Sequence, residues 1–331
     1  MDLPGIDEIG SAARIVYETL PPTPQYRWPM LCREAGTEVW LKHENHTPVG
    51  AFKVRGGLVH FSRLASDKTV RGVVTATRGN HGQSVALCAS RYGIPATVVV
   101  PRGNSVEKNA AMRALGATIV EHGADFQEAR EFAGQLAARD GLHFVPSFDR
   151  TLVAGVATAA LELFRAVPGI DTLYVPIGLG SGICGAVAAR DALGLSTEVV
   201  GVVCAHARAY AASFAARRPI DSPVSTVLAD GLACRTPDPQ ALDIVCRSVG
   251  RIVEVSDDEV AESIRILFRC THNCAEGAGA AAFAAVRREK PHLAGRKVAA
   301  MLTGANIDAD LYSSILARPA SRLADYATDA L

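Results

Sequence analysis

Short β-branched runs that repeatedly give way to longer alanine-rich stretches set the strongest constraint on how this chain folds. "GVVTA" leads into "NHGQSVALCASRYG", "ATVVV" into "SVEKNAAMRALG", and "ATIVE" into "DFQEAREFAGQLAARDG", which returns as "LHFV". A second series runs "DTLYVPIG", "GICGAVAARDALG", "TEVVGVVCA", "GRIVEVSDDEVAESIRILFR" and "RKVAAMLTG". Apolar runs too short for helices, each followed by a helical stretch, are the units of a parallel sheet covered by helices, so an α/β fold is expected. In the fourth segment Ser256 and Glu259 have capping-box spacing and mark a helix start. An N-terminal helix and the alternating strand "TEVWLKHEN" precede both series. No Pro/Ser-rich linker or fixed-period repeat divides the chain. Two closely packed domains are expected, with 70–148 a small domain inserted in a larger one of 1–69 and 149–331, and the ligand site in the cleft between them.

Thirty-four basic residues balance thirty-four acidic ones, so no overall field recruits nucleic acid or an anionic membrane, and a small molecule or a second copy of the chain is the expected partner. The eight cysteines show no CxxC and no framework spacing, which reads as reduced, buried thiols in a cytoplasmic protein. The start lacks a basic n-region, and no apolar run reaches about 18 residues, so neither secretion nor membrane spanning is expected. Six lysines stand against twenty-eight arginines, which leaves few candidates for chemistry that needs a primary amine.

Three stretches carry chemistry. "VPIGLGSGICGA" is a strand, a glycine turn and a helix start, the helix expected from about Ile183; backbone N–H groups around Gly178, Gly180 and Gly182, with the Ser181 hydroxyl, can hold an anion there. The same letters match a dinucleotide fingerprint, but the next strand, "VVGVVCAHA", lacks the carboxylate that a ribose needs. "TATRGNHGQSVA" places Thr77, Gly79, Asn80 and His81 at a helix N-terminus, suited to a carboxylate or a phenolate-like oxygen, although an ordinary Asn N-cap would look the same. "HTPVGAFKVRGG" sets Lys53 among apolar neighbours and two glycines. A snorkelling stem explains that placement, and so does a catalytic amine, which needs partial burial to shed its proton.

Together and in this order, "KHENHTPVGAFKVRGG", "TRGNHGQSVA", "PIGLGSGICGA", "LADGL", "AEGAGA" and "LTGAN" resemble the fold-type II pyridoxal-phosphate enzymes over about residues 40–306, in particular the serine/threonine dehydratases and their serine racemase relatives. The resemblance implies a tryptophan-synthase-β-like pair of three-layer α/β/α domains with pyridoxal 5'-phosphate in the cleft, and often a homodimer. It makes Lys53 the residue bonded to the cofactor aldehyde and the mover of protons at Cα. Phe52 would lie against the cofactor, Asn80 would bond its ring hydroxyl, and the loop of Gly178, Leu179, Gly180, Ser181 and Gly182 would hold its phosphate. Gly231 and Glu276 would line its far side and Thr303 would face the pyridine nitrogen. Thr77, Gly79, Asn80 and His81 would receive the substrate carboxylate. A hydroxyl at the ring nitrogen leaves the ring a weaker electron sink than an aspartate would, which suits elimination. The implied reaction is dehydration and deamination of threonine, serine or a bulkier 3-hydroxy-L-amino acid, such as phenylserine or a hydroxyectoine-derived compound.

The chain also departs from the pattern. Arg78 replaces the serine that serves racemases as a second base, so racemisation is disfavoured and a second anionic group on the substrate becomes one role for it. The segment corresponding to the group's metal site offers Cys204, His206 and Tyr210 but no carboxylate, so no dependence on Mg²⁺ or Ca²⁺ is expected. Cys270, His272 and Cys274 lack a second ligand pair and read as incidental. Ala51, His43 and His46 are expected to reshape the pocket entrance, or else to be plain surface polarity. The chain leaves no room for an ACT-like regulatory domain after "LTGAN", so isoleucine feedback is not expected. A cysteine-synthase-type β-replacement enzyme, a nicotinamide-dependent oxidoreductase and a non-catalytic cofactor-binding protein are the rivals.

Overall fold

The β-branched runs become strands whose side chains alternate between two layers of helices. In the computed structural model of the protein, residues 1–317 are described; residues 318–331, the end of the expected larger domain, lie outside the described residues. Ten strands are present among the described residues: β1 (Gln25–Tyr26), β2 (Glu38–His43), β3 (Val73–Ala76), β4 (Ala96–Val100), β5 (Thr118–Glu121), β6 (His143–Phe144), β7 (Thr172–Pro176), β8 (Glu198–Cys204), β9 (Arg251–Val255) and β10 (Lys297–Leu302). They form a six-stranded sheet of order β1-β2-β10-β7-β8-β9, parallel except at edge strand β1, and a fully parallel four-stranded sheet of order β5-β4-β3-β6.

Period-two alternation sorts the larger sheet's side chains. Tyr174, Val200, Val202, Val298 and Ala300 pack toward the helices Asp257–Thr271 and Gly277–Arg288. Leu173, Val175, Val199, Val203 and Ala299 pack toward Arg150–Ala166 and Ser181–Ala192. In the smaller sheet Val73, Val98 and Val100 share a core with Lys53–Leu64 and Asn80–Arg91, while Val74, Ala76 and Val99 meet Phe126–Asp140. The Ser256–Glu259 capping box is formed in both directions, at 3.2 and 2.8 Å.

The Lys53–Leu64 helix is wedged between two others, and this explains "VRGG". A Cβ on Gly56 would sit 2.8 Å from the Leu152 carbonyl oxygen, and one on Gly57 only 2.3 Å from Ser84 Oγ. Gly155 answers from the facing helix, where a Cβ would lie 2.3 Å from the Arg55 carbonyl oxygen. Arg55 itself is fully buried in an ion network. Its guanidinium meets Glu44 and Glu162, each at 2.6 Å, and Lys42 Nζ reaches Glu162 at 2.5 Å. Thr23 and Thr158 hydroxyls complete the hydrogen bonding. Two positive and two negative groups cancel, and the network fixes the helix two residues after Lys53.

Five of the cysteines are buried, Cys32 and Cys246 are half-buried, and Cys274 is exposed beyond the end of the Asp257–Thr271 helix, so the expectation of uniformly buried thiols fails there. All eight are free. No helix among the described residues is long and apolar enough to cross a membrane.

Candidate active site

Strands β3, β7 and β10 end at one crevice, the usual ligand position outside the carboxyl ends of parallel strands. β3 hands over to Thr77–Gly79, β7 to Gly178–Gly182, and β10 to Thr303. All fifteen residues assigned above to catalysis, cofactor or substrate line a single cavity of about 410 Å³.

Lys53 opens the Lys53–Leu64 helix and reaches into this cavity. Its Nζ donates to Ser181 Oγ at 3.0 Å and lies 5.3 Å from the centroid of the Phe52 ring. Burial lowers its pKa from about 10.5 to about 8, and no carboxylate opposes that shift. Lys108 is the cavity's second lysine, and it is held differently. Burial acts to lower its pKa, but Glu276 at 3.5 Å and Asp230 at 2.6 Å outweigh burial and raise it. Lys53 is therefore the lysine that can offer a neutral amine near neutral pH. In the cofactor-free protein, Lys53 is expected to react with an added aldehyde at a rate that climbs through pH about 8 and levels off above it. A climb centred near 10.5, followed by rapid-mixing absorbance, contradicts the assignment.

The glycine turn is an anion receptor. Gly180 is left-handed (φ 103°), and the helix begins at Ser181, two residues before the expected Ile183. Tyr210 Oη donates to the Leu179 carbonyl at 3.0 Å and turns that carbonyl away. The N–H groups of Leu179, Gly180, Ser181 and Gly182 find no acceptor among the described residues. A Cβ on Gly178 would lie 2.5 Å from the Gly231 carbonyl oxygen, so this wall closes only around glycine.

At the second helix start, Thr77 Oγ1 accepts from the N–H groups of Gly79 (2.9 Å) and Gly82 (3.3 Å). The Gly79 amide is thus spent on the turn, while the Thr77 hydroxyl accepts there and keeps its own proton to donate. The N–H groups of Asn80 and His81, which have no acceptor among the described residues, join that hydroxyl as donors for a carboxylate. Burial takes the His81 imidazole down to about 3, so it is neutral, and its Nε2 is buried without a partner. Asn80 is fixed from both sides, donating to Glu276 Oε1 at 2.5 Å and accepting from Asn306 Nδ2 at 2.8 Å. Burial raises Glu276 to about 7, against the pull of Lys108. Lys108, Asp230 and Asn306 belong to this site although no role was read for them in the sequence. The scarcity of lysine was the signal for Lys108, and the "LTGAN" motif the signal for Asn306.

Arg78 lines the cavity with no hydrogen-bond or ion-pair partner among the described residues, and its Nε is shielded and unpaired. His43, His46 and Ala51 are not in the wall; His46 is exposed, as the alternative of plain surface polarity has it, whereas His43 and Ala51 are buried. The two imidazoles stack on each other at 4.9 Å, His46 meets Asn273 at 2.6 Å, and burial lowers His43 to about 4. Ala51 is buried in a backbone bridge to Gly304. His272 turns left-handed (φ 55°) to end a helix, and Cys270, His272 and Cys274 do not converge.

The donor set fits pyridoxal phosphate: an amine without an acid partner for an aldehyde, free N–H groups for a phosphate, and the Phe52 ring beside the amine.

The family described as pyridoxal-phosphate dependent enzyme matches residues 16–304. The chain is 34% identical over 312 residues to an L-threonine ammonia-lyase of Thermotoga maritima, covering 94% of this chain and 78% of the relative. It is 29% identical over 317 residues to an L-threo-3-hydroxyaspartate ammonia-lyase of Saccharomyces cerevisiae, covering 96% and 97%. Biosynthetic L-threonine dehydratases of Haemophilus influenzae and other bacteria are longer, and the matched region covers 58% of their length. The processed form of threonine deaminase isoform 2 from Solanum lycopersicum superposes with a TM-score of 0.87 at 27% identity, over 96% of this chain and 95% of that one.

Proposed function

The chain belongs to the pyridoxal-phosphate dependent enzymes, and from that premise we propose that it eliminates water from a 3-hydroxy-L-amino acid and that hydrolysis of the resulting enamine returns that water and releases ammonia, so that a 2-oxo acid and ammonia are the net products. The observation that carries this reading is Lys53, an amine freed of acid partners that touches an N–H-lined glycine turn through Ser181 inside one cavity. When bound, pyridoxal phosphate supplies an aldehyde and a ring that draws electron density from Cα. The N–H groups of Leu179–Gly182 would hold its phosphate, and Phe52 would lie against it. The N–H groups of Asn80 and His81 would hold the substrate carboxylate, so that the Cα proton points to Lys53 Nζ. Lys53, once neutral, takes that proton. Thr303 would offer the ring nitrogen a hydroxyl and no charge, which favours prompt loss of the β-hydroxyl over a long-lived carbanion.

Ammonia and 2-oxo acid are the readout. Incubation with a panel of 3-hydroxy amino acids is expected to release both in equal amounts. Serine with a thiol yielding mainly a thioether, and little ammonia, would instead make this a β-replacement enzyme.

Arg78 favours a narrower reading within this class, a substrate that carries a second carboxylate, as in the substrate named for the yeast relative. A guanidinium with no protein partner is ready for such a group, and a charged hydrogen bond is worth about 1.5–3 kcal/mol. R78A is expected to lower kcat/KM for L-threo-3-hydroxyaspartate about 10- to 100-fold while leaving threonine within about threefold. Equal losses on both substrates would remove Arg78 from substrate recognition.

A further inference from the structure

We propose that Cys204, His206 and Asp257 form a binding site for a borderline-soft divalent metal ion of the Zn²⁺ class, which clamps the segment leading into the cavity wall at Asp230 and Gly231. Segment 198–210 holds one carboxylate, Glu198, at the far end of β8, and nothing near it in the chain points to another ligand. The fold supplies one from 53 residues beyond Cys204, because Asp257 opens the helix packed beside the end of β8.

The donor atoms already converge. Cys204 Sγ lies 3.2 Å from Asp257 Oδ1 and His206 Nδ1 lies 3.3 Å from Asp257 Oδ2, with all three donor atoms within 4.8 Å of one another. Ligands around a tetrahedral Zn²⁺ stand about 3.3–3.6 Å apart, so a small swing of the His206 side chain, which is 47% exposed, closes the set. A thiolate, an imidazole and a carboxylate suit Zn²⁺ or Co²⁺ and disfavour Mg²⁺. An outer shell is also in place. The His206 N–H lies 3.4 Å from Cys204 Sγ, Thr226 Oγ1 donates to Asp257 at 2.7 Å, and the Val227 N–H does so at 3.1 Å. Binding breaks the Cys204 S–H bond, and the proton passes to solvent.

The same contacts define what the ion would hold. Ser225 N–H donates to the His206 carbonyl, Val224 bridges Ala207, and Thr226 Oγ1 accepts from the Ala229 N–H at 2.9 Å. Asp230 follows directly, bonded to Lys108 inside the cavity. A metal at Cys204, His206 and Asp257 therefore stiffens the cavity wall at Asp230 and Gly231 without entering the cavity.

Titration of the holoenzyme with Co²⁺ tests this, since four-coordinate cobalt thiolates absorb in the red, clear of the cofactor band near about 410 nm. Wild type and C274S, which lacks the exposed thiol, are expected to take up one equivalent, to release it to Zn²⁺, and to melt at a higher temperature with Zn²⁺ present. H206N, whose altered side chain is largely exposed, is expected to melt like wild type without metal and to bind at least about 100-fold more weakly. C204S is expected to lose the absorption as well. No red absorption in wild type, or absorption that persists in both H206N and C204S, overturns the proposal.

Discussion

Replacing Lys53 by alanine is expected to lower ammonia release by at least about 10⁴-fold, to remove the visible absorption near about 410 nm, and to leave the melting temperature unchanged. The first two effects follow from the lone position of this amine. It is the cavity lysine that burial brings to about 8, and no other side chain on the described wall combines a neutral amine with reach to Ser181 and the glycine turn. Stability is spared because Lys53 takes no part in the ion network two residues further on, and its one hydrogen bond is to a hydroxyl. Turnover retained within about tenfold would remove Lys53 from the reaction.

The second large effect falls on stability. Arg55→Met leaves the Glu44 and Glu162 carboxylates buried, with Lys42 as their remaining cation, and breaking a buried pair in this way costs about 3–5 kcal/mol. Urea denaturation of the holoenzyme is expected to show a loss of that size. Arg55→Met combined with Glu44→Gln removes one charge of each sign and keeps the Lys42–Glu162 pair, so most of the loss is expected to return. A cost below about 1 kcal/mol for the single change, or no recovery in the double, would mean that the network contributes little to holding the helix start.

The parts of this account that rest on local pattern were legible in the chain. Short continuous apolar runs such as "TLYVP" announced strands buried on both faces, and the Ser256–Glu259 spacing announced the box that forms there. The glycines of "VPIGLGSG" announced an N–H-lined turn, although Gly180 turns the chain early enough to start the helix at Ser181. Pairings across long stretches were not legible. Nothing in "SVEKNAAM" says that Lys108 will meet Asp230, 122 residues on, and Glu276 beyond it. Arg55 gave no sign of Glu162, 107 residues away, nor Cys204 of Asp257. The places of His43, His46 and Ala51 were not legible for the same reason. They adjoin the lysine motif in sequence, but His43 ends β2, His46 bonds Asn273 and Ala51 bridges Gly304, so none of the three lines the cavity.

The central claim is that Lys53, and not Lys108, is bonded to the cofactor. Reduction of the holoenzyme with borohydride, followed by digestion and mass spectrometry, tests it directly. The account predicts a cofactor-derived mass on the peptide that contains Lys53 and an unmodified Lys108, whose amine is held charged by Asp230 and Glu276. A label on Lys108, or no label on either lysine, would contradict it.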